Sequence, residues 1–483
     1  MKKRIAIVGA GVGGLATAAR LASRGYEVDV FEKLSECGGR AHIIEDKGFK
    51  FDTGPSFVLM PDFFAEVFSY CGKDMRDYLD LRMLDSHYKI FFPSGKELTI
   101  YRETDRTIAE LERFEPGCAR AYNRFLGDGE KNYEILKPLL YQCFTKSKIL
   151  NPSYWDLVFK LKIGTSYWKY LKQFFKSDDL CYVLTFEAMF IGVSPFEAPA
   201  FYSVITYADH AQKIHHPMGG MYKIPKALER LSREFGVRFH YQNEVQSIIS
   251  TKGALKIKTQ QGELGVDKVI ANADYAYAQS GLLGRKLPNF EYSCSVYLLY
   301  LGLKQKVKGL EHHNIFFAHD LKKNLKDIFH GKVMPNDPSF YIHVPTVTDS
   351  SLAPEGKDLF YILVPVPNLA GSTQNFEQQK ERLRKIIFDR INAKLGMRLQ
   401  DLIDVEYEFC PQDFITRYNV MNGATFGLAH TLFQSAFFRP ANIDSRIKNL
   451  YYVGASTQPG GGLPPVIASS RIVADLITKE KVS

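Results

Sequence analysis

No stretch of about 18 consecutive apolar residues occurs in this 483-residue chain, so the sequence offers no membrane-spanning helix. None of the seven cysteines (37, 71, 118, 143, 181, 294 and 410) forms a C-x-x-C pair. The odd count and irregular spacing speak against a disulfide framework or a zinc site, so a reducing compartment and no metal are expected. Tryptophan is scarce, at two residues, and no internal repeat or low-complexity segment is present. Acidic residues are outnumbered, giving a net charge of +9, but the excess is local. Residues 138–177 hold seven lysines (146, 148, 160, 162, 169, 172 and 176), Asp156 as the sole acid, and both tryptophans. Phe and Tyr are abundant instead, at 35 and 27 residues, as a large apolar cavity or an aromatic core would require.

The chain begins with KRIAIVGAGVGGLATAARLASRGYEVDVFEK, which reads as strand, tight turn, helix and strand. Gly9, Gly11 and Gly14 form G-x-G-x-x-G, with Val12 and Gly13 between them: a turn, a close approach to a pyrophosphate, and close helix–strand packing. The helix is expected from about Gly13 to Arg24, with Gly25 ending it. Glu32, followed by Lys33, lies where an acid can accept both hydroxyls of an adenosine ribose. The continuation CGGRAHIIEDKGFKFDTGPSFV brings Gly39 and Arg40, whose guanidinium suits a phosphate, and then Gly54, Pro55 and Ser56. Such a long looped continuation suits an elongated FAD rather than a plain nicotinamide nucleotide.

A second strand–glycine loop–helix, YYVGASTQPGGGLPPVIASSR, closes the chain. Gly454, Ala455, Gly462, Leu463 and Pro464 belong to it. A helix beginning near Pro464–Val466 would direct its positive end at the flavin N1/O2 edge. The two cradles are thus expected to hold opposite ends of one FAD.

These stretches, together with MFIGVSPFEAPAFYSVITY, HPMGGMYKIPKALE and GATFGLAHTLFQSAFFRP, resemble the bacterial-type carotenoid desaturases, which include phytoene desaturase, within the amine-oxidase-like flavoproteins. The resemblance runs over essentially the whole chain. It implies backbone contact of the position at Val245 with adenine. Where many flavoproteins of the wider group carry an acid after the glycine of the last strand, this chain has Ala455, leaving ribityl contacts to backbone groups and Ser456 or Thr457. Asn272, in the loop of VDKVIANADYA, is expected near the cofactor.

The expected fold class is α/β: a Rossmann-like FAD-binding domain with a discontinuous antiparallel-sheet substrate domain and a helical membrane-facing insertion. The first is expected from residues 1–75, 223–280 and 405–483, the second from 76–115, 185–222 and 281–404, and the third from 116–184. A helix is expected at Lys223–Glu234, a strand at Val237–Tyr241, and a hairpin at NEVQSIIS and LKIKTQ. The stretches SVYLLYLGL, SFYIHVPTV and LFYILVPV alternate as antiparallel strands walling a cavity would.

Residues 151–177 interleave aromatics with lysines, which suits peripheral attachment to a membrane from the cytoplasmic side, with a solvated face over an ordinary core as the alternative. Nucleic acid is not an expected partner. The resemblance implies desaturation of a linear C30 or C40 carotene precursor. Isomerisation, hydroxycarotenoid desaturation and terminal-methyl oxygenation are alternatives within the family, and a non-enzymatic prenyl-lipid carrier is an alternative of the same fold. A polyene offers no charge to hold, so a tunnel of apolar side chains is required, with Phe186, Met189, Phe190, Phe196, Phe201, Tyr202 and Tyr207 as candidates. With no second G-x-G-x-x-G, a diffusible quinone or oxygen is the expected electron acceptor. Glu187, Asp209, His210, His215 and His216 are the ionisable groups of the same region, and none of them is assigned as a catalytic acid or base.

Overall fold

The computed structural model describes residues 3–144, 157, 160–251, 253–371 and 375–479, with the side chain of Phe190 excepted. A five-stranded sheet, parallel throughout, has the order Leu450–Tyr452, Lys268–Ala271, Arg4–Val8, Glu27–Phe31, Arg238–His240. Its strands therefore come from three distant parts of the chain. Alternation along the first strand sorts its side chains to opposite faces. Ile5 and Ile7 join the core beneath the helices Val12–Ser23, Lys223–Glu234 and Leu463–Lys479. Ala6 and Val8 face a three-stranded antiparallel sheet, Val245–Thr251, Ala254–Thr259 and Gly262–Val266. The sequence suggested only a hairpin there; Gly262–Val266 adds the third strand.

A seven-stranded sheet has the order Ile403–Phe409, Ser295–Leu303, Asp358–Val366, Phe340–His343, His313–Phe316, Ser86–Phe91, Glu97–Tyr101. It is antiparallel except where His313–Phe316 runs parallel to Ser86–Phe91. Ser295–Leu303 is buried along its whole length because both faces are covered. Tyr297, Leu299 and Leu301 pack with Leu383, Ile387 and Ile391 of the helix Phe376–Leu395, whereas Val296, Leu298 and Tyr300 meet Phe49 and Phe51. Ile403–Phe409 pairs with Ser295–Leu303, so it belongs to this sheet. The boundary expected at residue 405 moves beyond Phe409, because backbone pairing rather than proximity in sequence to the last cradle decides where a strand sits.

The expected insertion contains the helices Ala119–Leu139, Tyr167–Leu171 and Asp178–Val183. Tyr167, Tyr170, Leu171 and Phe175 are buried, and Trp168 packs against Tyr182 and Phe196 at ring separations of 4.6 and 4.9 Å. Lys162, Lys169, Lys172 and Lys176 lie exposed on the other side. In its described part this stretch is therefore a solvated face over a core. Lys146, Lys148, Trp155 and Asp156 lie outside the described residues.

Candidate functional site

The first cradle forms where the central strand ends. Gly9 turns the chain at φ +100°, a left-handed value that an L side chain rarely adopts, and its N–H donates to Phe31 O at 2.8 Å. A Cβ on Gly14 would lie 2.3 Å from Gly9 O, so the third glycine is set by helix–strand contact. Asn272 braces the loop from the neighbouring strand: its N–H donates to Val8 O at 2.8 Å and its Nδ2 to Gly9 O at 3.1 Å. The helix Val12–Ser23 carries no side-chain cap, so the first-turn amides are left for a ligand.

Glu32 is buried and accepts from the N–H groups of Ala10 and Leu34 at 2.8 and 2.9 Å. Burial raises its pKa despite these donors. Lys33 turns away to Thr416 O and Asn419 Oδ1, at 3.0 and 2.9 Å. Arg40 donates to Thr425 O at 2.7 Å, and burial lowers its pKa. Asp52 accepts from the N–H groups of Met221 and Tyr222 at 2.7 and 2.9 Å, and burial pushes its carboxyl up to about 6. Through that carboxylate the FDTGPS strand end is tied to the PMGGM turn.

The second cradle is held differently. Arg439 is fully buried with no carboxylate partner among the described residues, and its donors reach five backbone carbonyls, those of Leu428, Ala429, Gln434, Ala455 and Thr457. Desolvation brings its pKa down to about 10. His430 Nδ1 lies 3.1 Å from Ile191 O, and its Nε2 lies 2.9 Å from Gly461 N. A carbonyl can only accept and an amide N–H can only donate, so the imidazole is neutral with its proton on Nδ1. Burial lowers its pKa well below the usual range, in agreement. Gln458 Nε2 donates to the carbonyls of Phe144, Ala436 and Arg439, while its Oε1 accepts from Phe144 N at 2.7 Å. Ser456 Oγ donates to Asp274, and Thr457 Oγ1 to Gly454 O. Both hydroxyls expected to serve a ribityl chain are thus also loop braces.

The last helix starts at Leu463, slightly earlier than expected. Pro464 and Pro465 have no N–H, so donors at this end come from Gly462 and Leu463, and the macrodipole supplies the rest.

One cavity of about 690 Å³ joins the two cradles. Gly9, Gly11, Val12, Gly13, Glu32, Lys33, Gly39, Arg40, Gly54, Pro55, Ser56, Val245, Asn272, Gly454, Ala455, Gly462, Leu463 and Pro464 all line it; only Gly14 of the expected set does not. Of the expected tunnel residues, Phe186, Met189, Phe201 and Tyr202 line it as well. Phe196 does not, being packed on Trp168, nor does Tyr207, which lies against Tyr133 at a ring separation of 5.7 Å. Phe190 lies outside the described side chains. Sequence reasoning missed His430, Tyr341 and Phe426 as lining residues and Arg439 as the loop's anchor. Two of them, His430 and Phe426, and Arg439 lie within the GATFGLAHTLFQSAFFRP stretch, whose apolar character hides them.

Glu187, Asp209 and His210 are buried away from the cavity around Tyr88, whose OH lies 2.9, 2.5 and 2.8 Å from Glu187 Oε1, Asp209 Oδ2 and His210 Nε2. A phenol donates once, so at least two other protons must point at it. Burial raises the pKa of Glu187, which makes that carboxyl one natural donor. This cluster is a structural hub rather than a base at the cavity.

Residues 12–478 match the model of the flavin containing amine oxidoreductases, and the chain belongs to this family. It is an FAD-dependent oxidoreductase. A zeta-carotene-forming phytoene desaturase of Myxococcus xanthus is 41% identical over 98% of this chain and 93% of its own length. A 4,4'-diapophytoene desaturase of Staphylococcus haemolyticus is 34% identical over 99% of both chains. Among solved structures, an oxidoreductase from Methanosarcina mazei superposes with a TM-score of 0.64 at 16% identity, covering 99% of this chain and 100% of its own.

Proposed function

We propose that this protein desaturates a linear C30 or C40 carotene precursor, with phytoene as the leading substrate. The observation that carries the reading is the shared cavity: both glycine cradles open into a chamber walled by Leu140, Phe186, Phe201, Ile205, Phe317 and Phe437. The names of the two relatives above support the substrate class.

The residues present fit an FAD. The uncapped amides of Val12 and Gly13 would receive its pyrophosphate, and the lone pairs of Glu32 that Ala10 and Leu34 leave free would receive the ribose. Ala455, Gly462 and Leu463 would border the isoalloxazine. When bound, FAD supplies the two-electron acceptor that no side chain can provide. The apolar wall positions the polyene and excludes water, and neutral His430 keeps charge out of the chamber. A diffusible quinone or oxygen would serve as the final electron acceptor.

Phe433 and Phe438 are 76% and 57% exposed, with their rings 6.0 Å apart, and Phe438 also lines the cavity. This pair at the rim is our candidate for peripheral contact with a membrane, from which a lipid-soluble substrate would enter. No described helix is long and apolar enough to cross a membrane.

The test is expression in cells accumulating phytoene or its C30 analogue. A shift of the pigment spectrum to longer conjugation is expected with one of them, and unchanged pigment with both would overturn the assignment. Flotation with liposomes tests the rim: Phe433→Ser with Phe438→Ser should lose most binding while keeping bound FAD.

A further inference from the structure

His216, His312 and His343 each bring a ring nitrogen to within 4.8 Å of the other two. They are 0%, 2% and 1% exposed, and none lines the cavity. His312 Nδ1 lies 2.7 Å from Thr348 Oγ1, which leaves Nε2 facing inward, and that atom is 2.9 Å from His343 Nε2. Two imidazole lone pairs so close require a proton or a cation between them. His216 supplies the independent observation: both of its ring nitrogens are buried without a hydrogen-bond partner among the described residues. The nearest carboxylate oxygen, Asp349 Oδ2, is 3.5 Å from His216 Nε2, too far for a good hydrogen bond. That carboxylate is fixed by the N–H of Gly219 at 2.5 Å and by Ser351 N and Oγ at 3.1 and 2.6 Å. A buried polar group left unpaired is costly, and His216 carries two.

We infer that these three imidazoles bind one divalent transition-metal ion of the zinc class, with Asp349 orienting His216 from behind. Three neutral imidazoles are an established ligand set for zinc, and a carboxylate behind one of them is the usual support. Metal–nitrogen bonds of about 2.0–2.1 Å in a tetrahedral shell place the nitrogens about 3.3 Å apart, so the His312–His343 pair needs to open only slightly. The ligands come from a strand at His215–Pro217, from the residue preceding His313–Phe316, and from Phe340–His343. An ion here would clip the turn that holds Asp52 to the seven-stranded sheet, a structural role outside the redox chemistry. The expectation of no metal rested on cysteine spacing, which says nothing of histidines drawn from three separated strands.

The experiment measures metal by mass spectrometry in the full-length flavoprotein from zinc-supplemented cells, after dialysis against EDTA. About one zinc per chain is expected in the wild type, falling at least fivefold in His312→Leu and in His343→Leu. The exposed His319→Gln should leave it unchanged. Less than about half an ion per wild-type chain, or undiminished metal in folded His312→Leu, would overturn the site. If the leucine variants do not fold, zinc-edge X-ray absorption of the wild type decides instead. A shell of three imidazole nitrogens supports the site, and a shell containing sulfur or without imidazole overturns it.

Discussion

The two cradles line one cavity but are built on different principles. The first is made of backbone: four glycines in six residues, a parallel strand before them and a helix after them. Its side-chain supports are few, chiefly Asn272 and Glu32. The second is a longer loop, and its backbone is held by buried side chains from elsewhere, Arg439 and His430 from the preceding segment and Gln458 from within. A local cradle depends on the absence of side chains, whereas a loop assembled from distant segments depends on their presence. Removing a brace from the second should therefore cost more than adding a methyl group to the first.

Arg439→Met sets the upper end. The substitution keeps the volume but leaves five carbonyls without their donor, four of them through bonds classed as buried. A buried acceptor without a partner costs about 1–3 kcal/mol, so a loss of at least about 3 kcal/mol is expected for the set. The checks are a denaturant titration and the FAD content of the purified protein. A destabilisation below about 1 kcal/mol would show that the loop does not need its cation.

Gly14→Ala comes next. Its Cβ would sit 2.3 Å from Gly9 O, a backbone atom that cannot swing aside. Overpacking of this kind costs about 1–3 kcal/mol, and here the displaced atom belongs to the turn proposed to receive the pyrophosphate. Weaker FAD retention after gel filtration, with a smaller fall in apoprotein stability, is the expected pattern. If instead Gly14→Ala proves more damaging than Arg439→Met, the contrast between the cradles is reversed.

Glu32→Gln should be milder. The amide has one oxygen to accept where the carboxylate offers two, so either Ala10 N or Leu34 N loses its partner. A hydrogen bond to a charged group is worth about 1.5–3 kcal/mol, partly recovered by rearrangement of an exposed ligand edge. A rise of about tenfold in the FAD dissociation constant is expected by fluorescence titration, together with a modest fall in apoprotein stability from the lost backbone partner.

The same contrast explains what could be read in advance. Gly9 to Gly14 and Glu32 lie within 24 residues, and their spacing encodes strand, turn, helix and acid together, so nearly every expected contact at that end falls on the cavity wall. The last cradle was visible as glycines and prolines, but its anchors were not. Arg439 reads as a surface arginine until the fold closes five carbonyls around it. Ser456 reads as a ligand hydroxyl because its engagement with Asp274 depends on a tertiary contact, whereas Thr457 bonds Gly454 locally within the loop. The lysine-rich stretch shows the same dependence: its aromatic residues look like an interfacial belt in sequence, and in the fold Tyr167, Tyr170 and Phe175 face inward. Burial of the seven-stranded sheet on both faces likewise follows from tertiary packing: the helix Phe376–Leu395, which connects two of its strands, covers one side, and Phe49–Phe51, from before its first strand in sequence, covers the other.

Acidification separates the cradles by sign. Burial lowers the pKa of His430 in the folded chain, so below the unfolded value near 6.5 the unfolded state binds the extra proton. Its contribution is therefore intact above that pH and is lost as pH falls, by about 1.4 kcal/mol per pH unit once the unfolded imidazole is charged. Glu32 behaves oppositely. Its folded pKa is raised from the 4.5 of a free carboxyl, so the folded state holds the extra proton, and its contribution declines as pH rises through that window. His430→Gln is the discriminating variant, because an amide can donate to Ile191 O and accept from Gly461 N without titrating. Chemical denaturation of the apoprotein from pH 7 to pH 5 should show a shallower loss of stability in His430→Gln than in the wild type, whereas Glu32→Gln should make that loss slightly steeper. Parallel pH profiles for wild type and His430→Gln would mean that the imidazole already carries charge in the folded loop, and the tautomer fixed by its two backbone partners would be wrong.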